Sequence, residues 1–201
     1  MTSIKLSTLA AAALLCAVAA QASPLHNLTG LSGTFATENF DSNAGGGSAA
    51  AAQFAGMTFG GGSFVSKDFS GVYLNMLNSV IANFDSSSNL TSPTSVSFAA
   101  ALSEAAFAFV SNPQGMTFDA YLGAGLVESS TYATNYSGDF YGFTGITFDR
   151  IVITGDSTSN NAYILDSLQT KAAAVPEPGM LALLAVAGLG ALAASRRRRA
   201  A

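Results

Sequence analysis

Carboxylates are the side chains through which this chain could do chemistry. Three of them, Glu38, Asp41 and Asp166, fall in strand-patterned segments near the two ends of the body. In "NAYILDSLQ", Asp166 has the parity of Ile164 and Leu168; in "TENFDS", Glu38 has the parity of Phe40, and Asp41 follows at once. A carboxylate on an apolar face is costly unless it is hydrogen-bonded, paired or bound to a cation. An all-oxygen site suits calcium, so one expectation is a structural Ca2+ held by some of Glu38, Asp41 and Asp166. The alternative is that Asp166 caps a turn through backbone amides or pairs with Arg150, with both acids of "TENFD" exposed.

Other chemistries fare less well. His26 is the only histidine and stands before the first expected strand, where a mobile terminal residue is expected and a Ser-His-Asp triad is not. No G-x-S-x-G elbow occurs. Zinc would need a His/Cys cluster, which is absent. Neither triple-glycine stretch leads into the Gly-Lys-Ser/Thr of a phosphate loop. A glycosidase carboxylate pair is defined by spatial separation, which the sequence does not display. The chain therefore reads as a non-enzyme, with a secreted hydrolase as the most distant alternative. Sugar binding is closer, because Tyr73, Tyr121, Tyr132, Tyr136, Tyr141 and Tyr163 could stack on sugar rings, although tryptophan is absent.

Short β-elements must position these groups. In "SVSFAAAL" the residues Val96, Phe98, Ala100 and Leu102 alternate with Ser95 and Ser97, and in "GMTFDAYL" Met116, Phe118, Ala120 and Leu122 alternate with Thr117, Asp119 and Tyr121. Period-two alternation marks half-buried antiparallel strands. "AAFAFVS" and "GITFDRIVIT" are apolar on both parities, which predicts central strands or a bulge near Asp149. "VYLNMLNSVIANF" fits either period and is read as a strand pair because its neighbours are β. About eight to ten short strands separated by turns predict an all-β, antiparallel β-sandwich or jelly-roll body.

Charge narrows the partners. Residues 23–178 hold twelve acids against Lys67, Arg150 and Lys171, a net charge of −9. Such a body repels phosphate backbones, so nucleic acid is excluded as a partner.

Both ends read as addresses. Lys5 precedes an apolar run that closes on Ala20-x-Ala22, which predicts a signal peptide over residues 1–22 cut before Ser23 by signal peptidase. Its loss removes Cys16, the only cysteine, and with it any disulfide or thiolate chemistry. The predicted ectodomain covers residues 23–170 and a linker residues 171–179. In "VPEPG", Pro176 and Pro178 lack amide hydrogens and hold their neighbours extended, a shape that a processing enzyme can grip. Residues 180–195 form an expected transmembrane helix of about 24 Å, short of the roughly 30 Å hydrocarbon core. Arg196, Arg197, Arg198 and Arg199 lie in a tail over residues 196–201 and would stop on the cytoplasmic side.

The order Val175-Pro176-Glu177-Pro178, short apolar helix and terminal arginines resembles the PEP-CTERM protein-sorting signal, also labelled an ice-binding-protein C-terminal region. The resemblance implies recognition by an exosortase, a membrane-embedded transpeptidase-like enzyme of Gram-negative bacteria, with cutting near Pro176 to Pro178. It implies passage through the inner membrane, a transient hold there, and arrival at the cell surface or outside. Proteins of this kind go with exopolysaccharide and biofilm. The body resembles, through "TENFDS", "GFTGITFDRIVITG" and "NAYILDSLQ", the β-sandwich ectodomains found upstream of such tails. That resemblance implies a fold and no activity. The reading that follows is a surface or matrix structural protein, with an exopolysaccharide-binding module as the alternative.

Overall fold

The computed structural model describes residues 23–43, 47–48, 54, 56–61, 64–69, 71–84, 93–112, 114–156 and 161–174. The predicted signal peptide at residues 1–22, the motif Val175 to Pro178, the expected helix at 180–195 and Arg196 to Arg199 lie outside the described residues. Among the described residues, no helix is long and apolar enough to cross a membrane.

Among the described residues, eleven strands make up the body: β1 (Ser23–Asn27), β2 (Ala36–Glu38), β3 (Gly47–Ser48), β4 (Met57–Gly60), β5 (Val65–Asp68), β6 (Ser79–Ala82), β7 (Thr94–Ser111), β8 (Gln114–Leu122), β9 (Gly125–Thr134), β10 (Phe140–Gly155) and β11 (Tyr163–Ala172). Hydrogen bonding joins them into one sheet in the order β3-β5-β6-β11-β7-β10-β8-β9. β1 adds to β10, β2 to β11 and β4 to β7. Every pairing is antiparallel. The all-β expectation therefore holds, in a single hydrogen-bonded sheet.

The two long strands do most of the organising. β7 pairs through its start with β4 and through its later residues with β11, while β10 runs along both halves of it. The register of β10 against β7 shifts between Thr144 and Phe148 and again between Phe148 and Arg150, so the chain has both the central strand and the bulge expected near Asp149. Bulges of this kind bend a strand and raise its twist.

The double parity of "AAFAFVS" has a direct structural meaning. Ala105, Phe107 and Phe109 enter one apolar cluster together with Phe118, Tyr141, Phe143 and Leu165. Ala106, Ala108 and Val110 point the other way into a second cluster with Leu31, Met76, Val80 and Ile164. Alanine at 106 and 108 lets the covering chain approach closely. Gly142 on β10 serves the same closeness: a Cβ there would fall on the Ala105 carbonyl oxygen and 2.7 Å from Ala106 Cα. Gly142→Ala should therefore displace two central strands and cost about 3 kcal/mol, a melting point lower by roughly 10 °C. Gly125→Ala, whose Cβ would meet nothing nearer than the Leu122 carbonyl oxygen at 3.6 Å, should stay within about 0.5 kcal/mol. Thermal melts followed by circular dichroism measure both; equal melting points would refute the steric account.

Two expectations need correction. The strand pair predicted across "VYLNMLNSVIANF" is a run of turns followed by the short β6. Asn75 (φ 60) and Asn78 (φ 55) take left-handed conformations that asparagine tolerates and that end strand geometry. The Asn75 side-chain Nδ2 then donates to the carbonyls of Leu28 (3.2 Å) and Gly138 (3.0 Å), which holds this segment over the second cluster. The second correction concerns "SPLHN". It is strand β1, paired with residues 140–144 of β10, so His26 is a strand residue and not a mobile terminal one.

Candidate functional site

The acids from the two ends of the body do meet. β2 pairs with β11, and Glu38 stands opposite Leu168. Phe40 follows in a left-handed conformation (φ 58), fully buried, and its amide donates to Glu38 Oε1 at 2.9 Å. Asp41 opens a 3-10 turn, Asp41–Asn43. Its Oδ1 accepts from the Ser79 amide at 3.1 Å, and its Oδ2 accepts from Asn39 Nδ2 at 2.8 Å and Asn78 Nδ2 at 3.1 Å.

Asp166 is the buried member, with no exposed surface. It lies where β11 slips register against β7, next to Ser167 at φ 49. Its Oδ2 accepts from the Leu77 amide at 2.7 Å and its Oδ1 from the Ser167 amide at 2.5 Å. Burial pushes its carboxyl up to about 7 against the pull of those two amides, and the nearby charges of Asp41 and Glu38 push the same way.

Glu38 thus caps its own Phe40 amide, while Asp41 ties the Asn78–Ser79 stretch to the 3-10 turn and Asp166 ties the Leu77 amide to β11. This is the turn-capping alternative for Asp166. Arg150 does not pair with it; its guanidinium lies 4.7 Å from the Tyr121 ring centroid, and Nη2 donates to the Gly123 carbonyl at 3.4 Å. Among the described residues, no group of three or more His, Cys, Asp and Glu side chains is arranged to hold a metal ion. Glu38, Asp41 and Asp166 are accounted for by their amide donors.

Sequence reasoning missed the partner of His26. Its Nε2 lies 3.0 Å from Asp139 Oδ2, and its ring stacks on Tyr141 at 4.4 Å with Tyr132 edge-on at 5.4 Å. The contact fastens β1 beside the start of β10. Among the described residues, the buried Tyr141 hydroxyl and Asp139 Oδ1 have no hydrogen-bond partner. Burial first, then the charges of Asp139 and Tyr132, push the Tyr141 phenol up to about 12. Only a contact 113 residues away in sequence reveals this pair, and no local pattern could have shown it.

The C-terminal end of β11 is the third place of interest. Lys171 Nζ meets Glu104 Oε1 at 2.8 Å, and Ser103 Oγ donates to the carbonyls of Lys171 (3.3 Å) and Ala172 (3.1 Å). One more backbone bond, from the Ala173 amide to the Ala101 carbonyl at 3.0 Å, closes the body. Two residues, Ala174 and Val175, separate this latch from Pro176.

An acidic, all-β body whose last strand passes directly into a Pro-Glu-Pro segment defines a β-domain protein with a C-terminal sorting tail. Residues 174–199 match a family model described as the PEP-CTERM protein-sorting motif. No curated protein matches the chain. The motif supports export and sorting by an exosortase, with membrane-associated processing of the Gram-negative type. The matched span includes Val175, Pro176, Glu177 and Pro178 and Arg196 to Arg199.

Proposed function

We propose that this protein is a non-enzymatic structural component of the cell surface or extracellular matrix. Its body is carried across the inner membrane, held there briefly by the tail, and released or transferred at the Pro-Glu-Pro segment. The carrying observation is the junction: the sorting motif begins at Ala174, next to Ala173, whose amide is hydrogen-bonded to the Ala101 carbonyl of the body. A folded β-body joined so closely in sequence to a sorting signal is suited to be cargo. The single sheet, whose central strand β7 sends alternate residues into two apolar clusters, is read as a folded-over sandwich, and the association with exopolysaccharide and biofilm belongs to the same proposal.

Mass spectrometry of the mature protein from its native host tests it. The expected product begins at Ser23 and lacks everything beyond the Pro-Glu-Pro region. A product that keeps Arg196 to Arg199 would overturn the sorting reading.

A second reading, carbohydrate binding, is favoured by one observation. Tyr73 and Tyr136 present nearly parallel rings, 13° apart in plane and 6.3 Å between centroids, on an open surface pocket.

A further inference from the structure

The six tyrosines have different fates. Tyr141 and Tyr163 are buried in the core. Tyr121 carries the Arg150 guanidinium, and Tyr132 packs edge-on against His26 and Tyr141. Tyr73 and Tyr136 remain, and they line the same pocket although 63 positions separate them in sequence.

We propose that this pocket binds one neutral pyranose unit of a polysaccharide; the assignment rests on the carbohydrate-binding reading and gives it a location. The pocket is open, about 120 Å³ in volume, and bounded by Phe69, Tyr73, Phe84, Asn112, Tyr136 and Ile164. Phe69 extends the aromatic row, its ring 6.1 Å from that of Tyr73. Tyr136 is 49% exposed, and its hydroxyl donates to Asn112 Oδ1 at 2.5 Å. That bond orients both the ring and the carboxamide.

Aromatic faces beside a placed amide suit a sugar ring, whose C–H face is apolar and whose edge is polar. Drug-sized ligands occupy sites of about 300–1,000 Å³, so this smaller, open pocket takes one face of a single ring, with the rest of that ring and the neighbouring units of a chain lying outside. The acidic body, with a net charge of −9 over residues 23–178, favours a neutral sugar over an acidic one.

Isothermal titration of the full-length chain with cellohexaose and maltohexaose tests the proposal, in a zwitterionic detergent because alkyl glycosides would compete. The wild-type chain is expected to bind at least one of the two probes. Tyr136→Ala and Tyr73→Ala should each weaken binding about tenfold, the loss of one ring face. Tyr136→Phe keeps the face and should stay within about threefold. Should Tyr73→Ala lower the melting point, the half-exposed Tyr136 pair of variants decides alone. Unchanged binding in Tyr136→Ala would overturn the pocket while leaving the carbohydrate reading intact. Absence of wild-type binding to both probes would overturn the two together.

Discussion

Replacing Pro176, Glu177 and Pro178 together by alanine is expected to leave the chain uncut, with its terminal arginines still attached. Each proline fixes its own φ and holds the residue before it extended, so the wild-type segment needs little reorganisation to lie in an enzyme groove. Alanine restores helix-compatible freedom to the segment preceding the apolar run. Positioning losses at a reacting bond cost on the order of 10²-fold in rate, which pulse-chase labelling with a C-terminal epitope would record as persistent full-length protein. Normal processing of the triple variant would refute the role of the motif.

The latch at the end of β11 adds a spatial condition. From Ala173, whose amide is bonded to Ala101, three residue steps to Pro176 span at most about 10 Å. On the proposal that cutting takes place at the Pro-Glu-Pro segment, the processing enzyme works almost against the edge formed by Ala101, Ser103, Glu104 and Lys171, or the latch opens. A flexible Gly-Ser insertion of about ten residues after Ala174 supplies slack of that order without touching the motif. It should raise the rate of processing in the same assay. A slower rate would show that the enzyme uses the body edge as part of its docking surface.

Asp166→Ala is expected to produce the largest loss of stability among single substitutions at the acid cluster. Removal of the carboxylate strips acceptors from the amides of Leu77 and Ser167 in two part-buried hydrogen bonds. Two orphaned donors cost about 2–4 kcal/mol, a melting point lower by roughly 10 °C.

The same residue sets a pH dependence. Its carboxyl is raised from 3.8 to about 7 in the folded chain. Between those pH values the folded state retains a proton that the unfolded state has released, so stability falls as pH rises from about 4 to about 7, then levels. The effect is on the order of 2–4 kcal/mol. The wild-type chain should melt at a higher temperature at pH 5 than at pH 8, and Asp166→Asn, which cannot ionise, should flatten the difference. A variant profile parallel to that of the wild type would show that Asp166 is not the titrating group.

Much of the strand content was legible because period two is a local signal. "GMTFDAYL" places Met116, Phe118 and Ala120 in the core, as its alternation predicts, while Leu122, of the same parity, stands at the strand end and is exposed. The meeting of Glu38, Asp41 and Asp166 was legible as a cost, since an acid on an apolar parity must be compensated. The compensation was not: the amides of Leu77 and Ser79 come from a segment that Asn75 and Asn78 turn away from strand geometry, and parity rules carry no information about left-handed turns. β1 was missed for a related reason. "SPLHN" has no alternation, and its strand form is held by the ladder to β10 and by the contact of His26 with Asp139.

The sorting motif of this protein is legible in sequence alone, because the order Pro-Glu-Pro, apolar run, arginines is a linear pattern that needs no fold to be recognised. The surface chemistry of the body required the tertiary structure. Six tyrosines are equivalent in sequence, but packing buries two, occupies two with Arg150 and His26, and brings Tyr73 and Tyr136 to one pocket. Burial and long-range contact are properties of the folded sheet, and they decide which side chains remain available to a ligand.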